Sequence, residues 1–361
     1  KEKVIEFLRR KQLEDGTWGP SGDPLFRVTS TSLALSCRLS NSLDVTDSFK
    51  FLETMVQDVP PMTRSFAFPL LALSRTDRIS TDTADFCKET LLEFQDNESG
   101  GWGHSTKTYA ESRDVAEMSQ PALFPTFLAV IGLIPFFKKD DKSVQKALES
   151  AARWVLSLDR RSDGTPITTD TESCCPISCA AFALTILHVS ESHAVFEEEK
   201  NTYLKTLVKS IIESRALKPE RLPKAGRRLN TPYTLFTPAW VLWALSEYRN
   251  IESISSICHV VDFLLSLQNN ISGAVSKTVR GSDEEIYAAT QFYLSLSKIE
   301  GYLSSSEFLD QAISKLSSYS AIPSKRNVNN NKATILHISD IHWGVNKDDW
   351  SDYTGYESTL N

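Results

Sequence analysis

Apolar residues recur along most of this chain at helical spacing, and the helices they predict come in pairs of two kinds. In the first member of a pair the apolar positions form one stripe and charge fills the rest, as in Lys142 to Leu158. In the second member Ala, Ser, Phe and Leu occupy nearly all sides. These apolar stretches are Ser30 to Leu35, Phe66 to Leu73, Phe124 to Leu133, Ser178 to Leu187, Phe236 to Leu245 and Ala288 to Leu296. A helix that is apolar all round is a buried one, so the pattern predicts about six hairpins with amphipathic helices outside and apolar helices inside.

The connections repeat as well as the helices. FLRRKQLEDGTWGPSGDPLFRVTSTSLALSCRL (Phe7 to Leu39) returns, altered, between Leu91 and Leu133. In both copies a Gln closes the first helix (Gln12, Gln95), a glycine-tryptophan turn follows (Gly16 to Trp18, Gly101 to Gly103), and a small-residue helix comes next. Weaker copies run over Ser48 to Leu73, Ala152 to Leu187, Tyr203 to Leu245 and Val261 to Leu296. A spacing of roughly 40 to 55 residues marks stacked supersecondary units, because one hairpin cannot bury its apolar face alone. Six such hairpins can close into a ring, an all-α, α/α toroid.

Composition narrows the function classes. With 361 residues, 41% hydrophobic and 24% charged, the chain has the make-up of a soluble globular protein, and no apolar run approaches the roughly 18 residues that a membrane span requires. A net charge of −7 argues against general nucleic-acid binding. The six Cys lie mostly in apolar stretches with no paired CxxC spacing, which predicts reduced core residues and a cytoplasmic protein.

The QLEDGTWG turn followed by a Thr/Ser-Leu-Ala-Leu helix resembles the Gln-Trp repeats of the terpenoid cyclase and protein prenyltransferase superfamily, and its first copy is similar to the N-terminal segment of class II diterpene cyclases. The resemblance covers roughly residues 1–320. It implies a toroid in which Gln12, Trp18, Gln95 and Trp102 are structural, the amide capping helix ends and the indole packing against the next repeat. It also implies a catalytic acid in an Asp-x-Asp-Asp sequence, and no such sequence is present. The nearest is Asp170-Thr171-Glu172-Ser173, which puts Glu172 where the family's proton donor stands. Its register argues against that role, because an acid in the family's place would fall about one turn later, near Cys175. The preference of helix N-termini for acids accounts for Asp170 and Glu172 by itself.

Other candidate chemistry is sparse. Ser282 with Glu285 fits a capping box. His188, His193 and His259 have no Asp-x-Cys partner sequence that would complete a prenyltransferase zinc site, so no cofactor is expected in the toroid. Phe124, Phe236, Trp240 and Tyr287, with Phe66, Phe68, Phe127 and Phe292, fall on the inner helices, where they either line an apolar pocket able to hold an isoprenoid or simply fill the core. A basic stretch containing Arg221, Lys224, Arg227 and Arg228 would suit the head group of a phosphorylated small molecule, or be an ordinary solvated loop. A protein partner for a non-catalytic toroid is a further expectation.

The chain then changes character. The polar, Asn-rich residues 321–332 read as a linker. Behind it ATILHI (Ala333 to Ile338) predicts a short β-strand that delivers Ser339-Asp340-Ile341-His342-Trp343-Gly344 at its end. This resembles the opening of calcineurin-like metallophosphoesterases, and the resemblance implies that Asp340 and His342 bind a divalent metal pair (Mn, Fe or Zn) and that residues 333–361 begin an α/β domain. That family completes its site with later Gly-Asp-x-x-Asp and Gly-Asn-His motifs, which do not occur before Asn361. The expectation is therefore a phosphoesterase in its complete form, carried here as an inactive fragment of a truncated or incomplete sequence. The alternatives are a divergent class II terpene cyclase and a non-catalytic scaffold.

Overall fold

The computed structural model describes residues 1–20, 22–37, 44–76, 78, 81–137, 141–167, 176–190, 194–213, 236–267 and 282–320. By its internal contacts the chain divides into two units, Lys1–Gln311 and Ala312–Asn361. The second is described only as far as Ser320, at the end of the last helix. The predicted linker, the strand, and Asp340 and His342 lie outside the described residues.

The first unit is a succession of hairpins. They are α1 (Glu2–Lys11) with α2 (Pro24–Ser36); α3 (Thr46–Met55) with α4 (Thr63–Arg75); and α5 (Asp82–Phe94), the short α6 (Lys107–Ser112), and α7 (Leu123–Phe137). Then come α8 (Lys142–Ser157) with α9 (Pro176–Val189), α10 (Ala194–Ile212) with α11 (Phe236–Tyr248), and α12 (Ile254–Leu267) with α13 (Ser282–Leu303), before α14 (Ser306–Ser320).

Local sequence explains the boundaries. Asp23 accepts a hydrogen bond from Phe26 N at the head of α2, where Pro24 takes the first helical position. Asp141 accepts from Ser143 N and Val144 N at the head of α8. In α8 the residues Val144, Ala147, Leu148, Ala151, Trp154 and Val155 form the buried stripe that the sequence pattern predicts. In α7 and α9, by contrast, burial runs round the whole circumference.

The second helices close a ring: α2 packs on α4, α4 on α7, α7 on α9, α9 on α11, α11 on α13, and α13 back on α2. All six run in one direction. Near their C-terminal ends Arg75 Nε donates to Ser36 O at 2.7 Å, His188 lies 5.5 Å from Tyr248 ring to ring, and Lys298 pairs with Glu247. Gly132 of α7 stands against the Ala67 backbone of α4, where an added Cβ would come within 3.0 Å of Ala67 O, so a small residue permits this close approach. The outer helices are offset by one place. Thus α3 packs on α2, α5 on α4, α10 on α9 and α12 on α11, while α1 lies on α13 and so joins the first hairpin to the last. This is an α/α toroid.

One expectation needs correction. The stretch Ala116–Phe137 is, among the described residues, long and apolar enough to cross a membrane by length and composition. It contains α7, which is wedged between α4 and α9 as an inner helix, and two-thirds of its most apolar window is buried inside the fold. A fully enclosed ring helix and a membrane span share the same composition, because both face apolar surroundings on every side.

Candidate functional site

The repeated turns are architecture. The Trp18 indole N–H donates to Leu8 O at 2.8 Å, and that of Trp102 to Leu91 O at 2.7 Å, each reaching back to its own outer helix. Their backbone N–H groups donate to Thr31 Oγ1 and Thr126 Oγ1 on the inner helix of the same hairpin. The expected indole contact with the next repeat is therefore not what the indole hydrogen bond makes. The turn backbone and the Gln reach the next outer helix instead: Ser48 of α3 donates to Gly16 O, and Gln95 Nε2 donates to Gly100 O and to Ala147 O of α8. Gln12 Nε2 donates only within its own turn, to Gly16 O.

A third copy of this turn lacks the tryptophan. Asp15 Oδ1 accepts from the amide and hydroxyl of Thr17, and Asp163 Oδ1 accepts in the same way from Thr165. In both, the intervening glycine takes a positive φ (Gly16 +78°, Gly164 +82°), and a Ser of the next outer helix, Ser48 or Ser210, donates to a turn carbonyl. Pro166 stands where Trp18 stands in the first copy.

Inside the ring, aromatics reach across rather than along it. Phe68 of α4 meets Tyr287 of α13 edge to face at 5.8 Å, past the intervening α2. Phe127 of α7 lies 5.0 Å from Trp240 of α11 and 4.8 Å from Phe182 of α9. Phe68, Phe127, Trp240 and Phe292 are buried, so at these levels the axis is filled. Phe124 and Tyr287 are half-buried, near the N-terminal ends of their helices, and Phe124 touches Phe182 and His104. These two sit at the mouth. Phe66 does not face the interior, because it packs against Phe86 and Phe94 of α5. Two residues apart on a helix, Phe66 and Phe68 differ by about 200° and cannot share a face.

Arg64 lies one turn before Phe68 on the same side of α4. Its guanidinium stands 5.0 Å over the ring of Phe26, and its buried Nε has no hydrogen-bond partner. Deeper in the ring three fully buried polar side chains also lack partners: both amide atoms of Gln291 on α13, and the indole N–H groups of Trp240 and Trp243 on α11. Sequence reasoning missed Arg64, Gln291 and Trp243. Each is an ordinary residue for a helix, and only closure of the ring gives its position a meaning.

No Asp or Glu is buried among the described residues. Asp170, Glu172, Arg221, Lys224, Arg227 and Arg228 lie outside them, as does the side chain of Phe236. Along the chain, residues 168–175 lead into α9 and residues 214–235 into α11. No group of three or more His, Cys, Asp or Glu among the described residues could hold a metal ion. His188 sits at the end of α9, where burial holds its imidazole below the usual range. Burial likewise pushes the Cys37 thiol well up and that of Cys87 up to about 12, which suits core residues.

The outer layer carries one further feature, a groove of about 360 Å³ lined by Arg160, Glu198, Glu199, Thr202, Tyr203 and Thr206. The Arg160 guanidinium stacks 3.7 Å over the Tyr203 ring, and burial pushes the phenol up to about 12. Arg160 is held by Glu199 and Leu156 O.

No protein-family model matches the chain, and no curated protein sequence does. Solved structures do match in fold. Type II terpene cyclase MstE from Scytonema is similar at 11% identity and a TM-score of 0.54, over 83% of this chain and 97% of that one. A single-residue variant of the same cyclase, in complex with its substrate geranylgeranyl dihydroxybenzoate, aligns at 13% identity and a TM-score of 0.53, over 83% and 96%. The α-1,6-mannanase GH76A of Salegentibacter, an inactive variant in complex with α-1,6-mannotriose, aligns at 12% identity and a TM-score of 0.56, over 81% and 98%. The α/α toroid is thus shared by proteins with unlike ligands, and the fold alone does not choose between them.

Proposed function

We propose that the toroid binds an isoprenoid-type apolar molecule at the end of the ring where the inner helices begin. The observation that carries this reading is the lining: Phe124 and Tyr287 half-buried at the mouth, with Phe68, Phe127, Phe182 and Trp240 behind them. A sugar-cleaving ring would call for paired carboxylates, and the described part of this ring buries none. The similarity in fold to a cyclase bound to a geranylgeranyl compound supports the same choice. Arg221, Lys224, Arg227 and Arg228, on the segment entering α11, are the residues offered to a phosphorylated head group.

Binding without turnover is the form that the residues support best, since no Asp-x-Asp-Asp acid is present. The test is calorimetric titration with geranylgeranyl diphosphate and geranylgeraniol, with mass-spectrometric analysis of the products. Micromolar binding with unchanged ligand makes the toroid a binding module. A cyclised product that disappears in Glu172→Gln makes it a cyclase, and absence of any binding overturns the proposal.

A second reading rests on Asp340-Ile341-His342 alone, as the start of a metal-dependent phosphoesterase. It requires a longer chain to complete the donor set, and its test is whether such a chain retains Mn, Fe or Zn in the native protein and loses it in Asp340→Asn.

A further inference from the structure

Arg27, Arg64, Arg75 and Arg161 are the half-buried arginines among the described residues. Arg27 is ion-paired with Asp15 and donates to Thr17 Oγ1, and Arg75 donates to Ser36 O. Arg161, in the Asp163 turn, keeps one buried nitrogen without a partner. Arg64 keeps its buried Nε unmet as well, and its guanidinium forms no hydrogen bond or ion pair with any described residue. It lies 5.0 Å over the ring of Phe26.

The ring gives that position a meaning that the turn does not give Arg161. Arg64 precedes Phe68 by one turn, so both lie on one side of α4, and Phe68 meets Tyr287 across the ring at 5.8 Å. Phe26 stands near the head of α2, the neighbouring inner helix, and is 41% exposed. Arg64 over Phe26 is therefore the rung outside Phe68 and Tyr287, at the end of the ring where the inner helices begin. The head of α4 is fixed there, since Thr63 N donates to His104 O at 3.0 Å and Thr63 Oγ1 to Gly103 O at 2.6 Å. No acid occupies the first turn of α4, and Asp23, at the head of α2, accepts from Phe26 N.

The unmatched charge selects the chemistry. A guest that reaches Phe68 from this end lies against the guanidinium and takes water from it. For a hydrocarbon or an alcohol that cost is not offset, because a cation withdrawn from water needs a counter-charge. An anionic end supplies one, and a carboxylate or phosphate matches the planar fork of the guanidinium with two parallel hydrogen bonds.

We infer that Arg64 receives the anionic end, a carboxylate or a phosphate, of the guest taken at the mouth of the ring. This rests on the proposed function and deepens it: the apolar part of the guest lies against Phe68 and Tyr287, and its charged end stays at the rim rather than entering the filled interior.

The test is calorimetric titration of the full chain with three C20 probes: geranylgeraniol, geranylgeranoic acid and geranylgeranyl diphosphate. At least one anion is expected to bind about tenfold more tightly than the alcohol, the scale of a hydrogen bond to a charged group. In Arg64→Gln that anion-to-alcohol ratio falls to about one, and the anion whose ratio falls identifies the end group as carboxylate or phosphate. Arg64→Met, which keeps an unbranched stem against Phe26, reads the same ratio should the first variant fold poorly. If no probe binds, the proposed function fails and this inference with it. If wild type binds the alcohol as tightly as both anions, only this inference falls. It falls alone, too, if the advantage of every anion survives both substitutions, because the charged end is then held elsewhere.

Discussion

Four tryptophans in this fold are buried to the same depth and do opposite things. Trp18 and Trp102, in the hairpin turns, each spend the indole N–H on a carbonyl of their own outer helix and receive a threonine hydroxyl at the backbone. Trp240 and Trp243, on the inner helix α11, are as buried and leave the same N–H unmet. In the two tryptophan-bearing turns the indole and backbone N–H groups of the tryptophan are all met, and the turns reach the next hairpin through Ser48 and Ala147, as the Asp163 turn does through Ser210. In the interior hydrogen bonding is incomplete at the place where aromatic rings converge. The contrast is one between the two pairs of tryptophans and not between the whole scaffold and the whole interior, since Arg161 Nη1 in a turn and the Tyr203 hydroxyl on an outer helix are also buried and unmet.

Substitution of the tryptophans tests this division most directly. Trp102→Ala removes a large buried ring together with its hydrogen bond and is expected to cost about 3–5 kcal/mol of unfolding free energy. Trp240→Phe removes an unmet donor along with some volume, and stability is expected to stay within about 1 kcal/mol of wild type. Chemical denaturation measures both. Equal losses would erase the distinction between the two environments.

A backbone test follows at smaller size. Gly100 has φ +86°, and a Cβ there would lie 2.7 Å from Ser150 O on α8. Gly100→Ala is expected to cost about 2–3 kcal/mol, combining left-handed strain with displacement of a neighbouring helix. At Gly22 a Cβ would meet nothing within 4 Å, so Gly22→Ala serves as the control and is expected to change stability by less than about 0.5 kcal/mol. Thr126→Val, which strips the hydroxyl from Trp102 N, is expected to lie between them at about 1–2 kcal/mol.

The scaffold was readable in the sequence because its signals are local. Gln12, Gly16 and Trp18 stand within a few residues of one another, and the apolar run of each inner helix is contiguous, so the hairpins and their order follow from spacing alone. The interior was readable only as composition. That Trp240 lies on an inner helix followed from the apolar run, but that its ring meets Phe127, from a helix more than a hundred residues earlier, depends on closure of the ring. Gln291 looks like a solvent-facing residue of a mixed helix until α13 is pressed between α2 and α11. For Phe66 the local spacing already holds the answer, since its direction follows from its distance of two positions from Phe68.

The smallest predicted effect belongs to the turn that lacks a tryptophan. In the Asp163 turn the carboxyl is held below the usual carboxylate range, first by the Thr165 hydroxyl and then by the Thr165 backbone N–H. A folded value below the unfolded one, about 3.9, means that the contribution to stability is present above that pH and is lost as pH falls through the folded value. The group is exposed, so the contribution is modest. Asp163→Asn is therefore expected to lower stability slightly at pH 7 and to flatten its decline below about pH 4, with the two proteins converging at the acid end. If the difference between wild type and Asp163→Asn were the same at about pH 7 and about pH 2.5, the turn would be held by its backbone and by Ser210 rather than by the carboxylate. The Pro166 copy would then owe its shape to the next hairpin, through the same kind of bond that Ser48 makes to Gly16 O in the first turn but without an indole to add to it.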